Sequence, residues 1–168
     1  LITMGKILYT KKVEKGDVNY IAGVVTYARE GTGDYEGKVM NVGMVLSVYN
    51  KDTKTAEKKY LSVGFFNNDV APMRERVLQA KVGVGSFLLL TTGELKESGT
   101  AKDGTPQLRA SGYNFCYAGK VDIENGEASL TVMCGTVRKV TDTGSILNAN
   151  IPLTVYNTEQ KARETMWV

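Results

Sequence analysis

Two stretches of this chain enclose a basic loop between aromatic residues at one fixed spacing. In "SVYNKDTKTAEKKY", Tyr49 and Tyr60 bracket Lys51, Lys54, Lys58 and Lys59; in "TVYNTEQKARETMW", Tyr156 and Trp167 bracket Lys161 and Arg163. A loop with this basic excess can contact phosphate groups, and each phosphate neutralised adds to the salt dependence of binding. Phe66 adds a further ring, and Lys96, Lys102 and Arg109 add cations later in the chain. Catalytic chemistry finds little material by comparison. With no histidine, the commonest general base and metal ligand near neutral pH is missing. Cys116 and Cys134 have neither CxxC spacing nor histidines nearby and read as buried thiols. "VGVGSF" lacks the lysine of a phosphate-binding loop, and there is no nucleophile elbow, paired-carboxylate motif or metal cluster. The expectation is a binding protein that is not an enzyme and uses no cofactor and no metal. A net charge of +3 and a pI near 8.8 are compatible with a polyanionic partner.

The pattern recurs because the chain repeats itself. Tyr49 and Tyr156, like Tyr60 and Trp167, are 107 positions apart, and Asn41, Leu46, Val48 and Asn50 match Asn148, Leu153, Val155 and Asn157 in the same register. Upstream, "YTKKVEKG" from Tyr9 resembles "YAGKVDIENG" from Tyr117. Residues 1–116 are therefore expected to form one complete unit and 117–168 the first half of a second. The second unit is read as truncated, its remainder lying in a longer protein or on another chain.

Strands are the elements that must position these residues. Apolar residues alternate with period two: Met44, Leu46 and Val48 mark one inward row and Leu61, Val63 and Phe65 another, which leaves Tyr60, Ser62, Gly64 and Phe66 on the opposite face. The period changes in "NNDVAPMRERVLQAK", where Asp69 is placed as a cap, Pro72 in the first turn, and Met73, Val77, Leu78 and Lys81 along a short amphipathic helix. "VGVGSFLLLTTGEL" follows as a strand, and Asp103-Gly104 turns a hairpin between the residues on either side. Three strands, a helix and two strands is the order of the five-stranded Greek-key barrel called the OB-fold. A sandwich or an open sheet shares the alternation. Tyr20, Tyr27, Tyr35, Tyr113 and Tyr117 read as half-buried packing. No run of about 18 apolar residues is present to span a bilayer, and the first residues do not have the pattern of a signal peptide, so a cytoplasmic location is expected.

The segment from Tyr60 to Phe115 resembles the heart of bacterial single-stranded DNA-binding proteins. In that family a strand beginning with Trp and ending with Phe leads to a helix, a Gly-Ser pair, an apolar strand closing Gly-x-Leu and an Asp-Gly hairpin; Tyr60, Phe66, Gly85-Ser86, Gly93-Glu94-Leu95 and Asp103-Gly104 stand at the matching places. Val84 replaces the family's lysine, and Gly99 stands where the distal hairpin often carries an aromatic. The resemblance implies sequence-independent coating of exposed single-stranded DNA in replication, recombination or repair, by tandem OB-folds that self-associate. It implies stacking roles for Tyr49, Tyr60 and Phe66, and for Tyr156 and Trp167 in the second unit. Two other readings stand beside it: an OB-fold interaction module whose outward aromatics bind protein, and a single-stranded RNA binder, because stacking is indifferent to the 2′-hydroxyl.

Overall fold

A computed structural model describes residues 4–67, 72–120 and 136–168 of the chain. It is mainly β, and it divides into two compact units, residues 1–129 and 130–168.

The first unit starts with a hairpin, β1 (Lys6–Val13) and β2 (Gly16–Glu30), in which Val13 pairs with Gly16 across a tight reversal. The second strand continues beyond its partner and is bulged between Val25 and Tyr27. A longer hairpin follows, β3 (Val39–Asn50) and β4 (Thr55–Phe66), paired without interruption from Val39↔Phe66 to Asn50↔Thr55. Next come α1 (Met73–Gln79), β5 (Ser86–Thr92), β6 (Lys96–Thr100) and β7 (Pro106–Lys120). The last of these lies parallel to β4 and antiparallel to both β5 and β6. The result is a mixed seven-stranded sheet ordered β1-β2-β3-β4-β7-β5, with β6 on β7 and a further pairing of β5 with β2.

Alternation supplies the core. Ile21 and Val25 from β2, Met44 and Leu46 from β3, Leu61, Val63 and Phe65 from β4, and Leu88 and Leu90 from β5 are all buried, and Met73 and Val77 of α1 are buried with them. Each fully buried side chain of this kind contributes about 1.5–3 kcal/mol relative to exposure. The Phe65 ring meets Phe115 edge-on, with centroids 5.7 Å apart, and a β-carbon at Gly112 would lie only 2.3 Å from it. Buried Asn19 accepts from the Thr10 hydroxyl and donates to the Gly93 carbonyl, tying the first hairpin to the segment that leads into β6.

Several expectations are corrected. Four strands, not three, precede the helix, because the chain doubles back at Glu14-Lys15; three follow it in the first unit, the strand and the Asp103-Gly104 hairpin read above, where the five-stranded order counts two. Pro72 occupies the cap position rather than the first turn, and Lys81 lies beyond the helix with a φ of 53°. Asp69 lies outside the described residues. Cys116 is exposed on β7 rather than buried, because the alternation that sends Phe115 against Phe65 turns its neighbour outward; Cys134 lies outside the described residues. The boundary at residue 116 falls within β7, which pairs with β5 through Lys120.

The second unit holds two hairpins, β8 (Lys139–Asp142) with β9 (Leu147–Asn150), and β10 (Pro152–Asn157) with β11 (Ala162–Trp167). The latter repeats the asparagine-anchored hydrogen bonds of the β3–β4 turn. Asn50 Oδ1 accepts the N–H groups of Asp52 and Thr53 while its amide donates to Glu57. Asn157 does the same with Glu159, Gln160 and Glu164, and Lys54 and Lys161 share a left-handed conformation at φ 54° and 52°. Among the described residues no helix is long and apolar enough to cross a membrane.

The contact at Gly112 gives a stability test. Gly112→Ala should cost about 1–3 kcal/mol, because the buried Phe65 ring has no room to yield, whereas Gly83→Ala, where a β-carbon meets nothing within 4 Å, should cost less than about 0.5 kcal/mol. Urea unfolding of the two variants against the parent chain measures the difference.

Candidate nucleic-acid interface

Residues directly opposite one another on paired strands point to the same side of a sheet. Leu61, Val63 and Phe65 face the core, so Tyr60, Ser62, Gly64 and Phe66 face outward, and pairing carries that choice across the sheet. One outward row runs from Tyr27 through Gly43 and Ser62 to Arg109 and Lys96. The next holds Arg29, Asn41, Gly64 and Ser111. Toward the tip of the β3–β4 hairpin come Val45 with Tyr60, Ser47 with Lys58, and Tyr49 with Ala56. From Tyr49 to the row of Val39 and Phe66 the face is about 33 Å long, at about 3.3 Å per residue.

Two glycines make the floor shallow. A β-carbon on Gly43 would lie 2.0 Å from the Tyr27 ring, and one on Gly64 would lie 3.1 Å from the Phe66 ring, so each aromatic rests against bare backbone. The Arg29 guanidinium stands over the Tyr27 ring at 5.2 Å. A groove of about 1020 Å³ crosses the face here, lined by Tyr27, Arg29, Asn41, Phe66, Arg109 and Tyr113 among others. Of the acidic residues on its rim, Glu30 accepts from Arg74 at 3.0 Å and Asp17 pairs with Lys12 at 2.7 Å. Their charges are thereby balanced, while Glu94, also on the rim, is exposed beside the cations Arg29, Lys96 and Arg109.

Six of the ten expected residues of the first unit fall on this face, though not in one cluster. Phe66 (42% exposed), Arg109 and Lys96 line the groove. Tyr49 (62% exposed) and Lys58 lie nearer the hairpin tip, where Lys51 and Lys54 form the turn. Lys102 is exposed in the turn between β6 and β7. Lys59 is a correction: it pairs with Leu46, so strand alternation places it on the core-facing side, opposite to Lys58 and Tyr60. In the second unit Tyr156 and Arg163 are paired across β10–β11 and share a face with Trp167, while Lys161 forms the turn; Tyr156 and Trp167 are 61% and 60% exposed.

Tyr60 is less available than its position suggests. Its hydroxyl donates to Asp103 Oδ2 at 2.6 Å, and the Lys58 ammonium sits over its ring at 5.0 Å and 3.8 Å from the same carboxylate. Asp103 Oδ1 accepts the Thr105 N–H at 2.9 Å. The hydrogen bond from Tyr60, followed by those from Thr105 and the charge of Lys58, lowers the Asp103 carboxyl to about 2. Tyr60 foremost, with Asp103 adding to it, raises the Lys58 ammonium above its usual value.

Tyr27, Arg29, Asn41 and Tyr113 were not among the expected site residues, and Tyr27 and Tyr113 were read as packing. Their signal lay in the glycines. Gly43 and Gly64 interrupt strands otherwise built from large side chains, which marks a close approach over the sheet.

The Asp103 contact predicts a pH dependence. A carboxylate held below its unfolded value contributes stability that is complete above about pH 4, where the unfolded group is ionised, and that is lost as pH falls through about 2. Carboxyl NMR should place the Asp103 midpoint near 2, and Tyr60→Phe should move it up toward the ordinary carboxylate range. No protein-family model matches this chain, and comparison with curated proteins finds no match.

Proposed function

We propose that the first unit is an OB-fold that binds single-stranded DNA without reading its sequence, and that the second unit begins another. The fold reading is supported by the ladder itself: β2, β3, β4, β7 and β5 are paired in succession, β5 pairs again with β2, and the helix lies between the third and fourth of these strands in chain order. That circuit is the strand order of the five-stranded barrel whose central strands bind oligonucleotides.

The observation that carries the functional reading is the outward face of β2, β3, β4 and β7, where rings and cations lie over a glycine floor. Exposed π-faces suit unpaired bases, which are accessible in a single strand and stacked away in a duplex. Each base stacked on Phe66 or Tyr49 is worth about 1–3 kcal/mol, and a base reaches the Tyr27 ring once the Arg29 guanidinium over it moves aside, while Arg29, Lys58, Lys96 and Arg109 are placed to neutralise phosphates. Because β10–β11 reproduces the β3–β4 turn, Tyr156 and Trp167 present the same chemistry a second time, which raises avidity for a strand long enough to reach both. Coating of strands exposed during replication, recombination or repair is the role that fits such binding.

Fluorescence anisotropy of labelled oligo-dT should report tight binding at low salt that weakens with a log–log slope of about −3, as expected for four phosphates on a single strand. Phe66→Ala should cost about 1–3 kcal/mol, and a duplex of equal length should bind far more weakly. Absence of binding at low salt by the folded protein would overturn the proposal.

A further inference from the structure

We infer that Asp103 occupies the place of a nucleic-acid phosphate, so that a strand arriving at Tyr60 and Lys58 must displace this carboxylate and the distal hairpin turn competes with the ligand for its own site. The inference rests on the single-strand-binding reading above and concerns how that site is regulated.

The geometry brings together the two groups a nucleotide would use. Tyr60 offers a ring on the outward face and Lys58, two residues earlier on the same face of β4, offers a cation. Both are engaged by one anion from elsewhere in the chain, 43 residues away in the case of Tyr60, through the hydroxyl at 2.6 Å and the ammonium at 3.8 Å. The same lysine covers the tyrosine ring at 5.0 Å, so a base can reach that face only when Lys58 moves aside. A phosphate oxygen can replace the carboxylate at both partners, because each is a hydrogen-bond donor and one is positively charged. Asp103 also accepts from Thr105 within its own turn, which keeps the carboxylate aimed at β4. Solvent reaches both sides of the ion pair, with Lys58 and Asp103 side chains 45% and 49% exposed, so the contact is weak enough for a polyanion to exchange with it.

Asp103→Asn tests this while retaining an oxygen for the Thr105 N–H. With labelled oligo-dT, the variant should bind up to about fivefold more tightly at low salt, with the log–log salt slope unchanged, because the same phosphates are held once the carboxylate has been displaced. Adding Lys58→Met should abolish the gain. Glu97→Gln, which removes an exposed negative charge from β6 without touching Tyr60 or Lys58, should give a smaller gain. Unchanged or weaker binding by Asp103→Asn, an equal response from Glu97→Gln, or a gain that survives Lys58→Met would each overturn the inference. If Asp103→Asn does not fold, Tyr60→Phe cuts the strongest tie and keeps the ring: tighter binding supports the inference and weaker binding overturns it. Failure of the parent protein to bind oligo-dT at low salt is a separate result that removes the functional reading itself.

Discussion

The inward commitment of Leu61, Val63 and Phe65 is the constraint from which the rest of the first unit follows. All three are fully buried or nearly so, and a one-residue slip of β4 would exchange them for Tyr60, Ser62, Gly64 and Phe66. The core therefore fixes which face looks outward, and uninterrupted pairing with β3 and parallel pairing with β7 transmit that choice to Tyr49, Asn41 and Arg109. The candidate interface is the reverse side of the hydrophobic core.

That origin explains its composition. Val39 and Val45 are buried on this face too, but Gly43 and Gly64 leave room between them and allow Tyr27 and Phe66 to rest against the backbone. Flat rings held in this way have little freedom left to lose when a base stacks on them. Charge is arranged with similar consistency, since Glu30 and Asp17 are each paired with a cation at the rim. Asp103 is paired as well, with Lys58, and is the anion turned toward the ring and the cation most like a nucleotide's partners.

How much of this was legible in the sequence varied with the range of the interactions involved. Alternation in β4, the helix at Met73–Gln79 and the turn at Asp103-Gly104 are local, and local patterns exposed them. The hairpin repeat was legible for the same reason: identical residues at a fixed separation build the same turn, down to the left-handed Lys54 and Lys161. Tyr27 was missed because a bulge intervenes. Val25 and Tyr27 have the same parity, so strict alternation sends both into the core, but the irregularity between them turns Tyr27 outward onto Gly43 while Val25 stays buried opposite Met44. The reversal at Glu14-Lys15 carried no strong turn dipeptide, which hid β1. Asp103 was invisible as a partner of Tyr60 because no local pattern reports a contact across 43 residues.

The central claim is that one face of this unit, set by the core on its reverse, receives the single strand. Backbone-amide NMR during titration with oligo-dT tests it residue by residue. The account predicts that shifts concentrate at Tyr27, Gly43, Ser62, Gly64, Phe66 and Arg109, with little change at Tyr20, Thr91 and Asn114, which are paired in register across β2, β5 and β7. Shifts centred on those latter residues, or no shifts on saturation with the oligonucleotide, would contradict it.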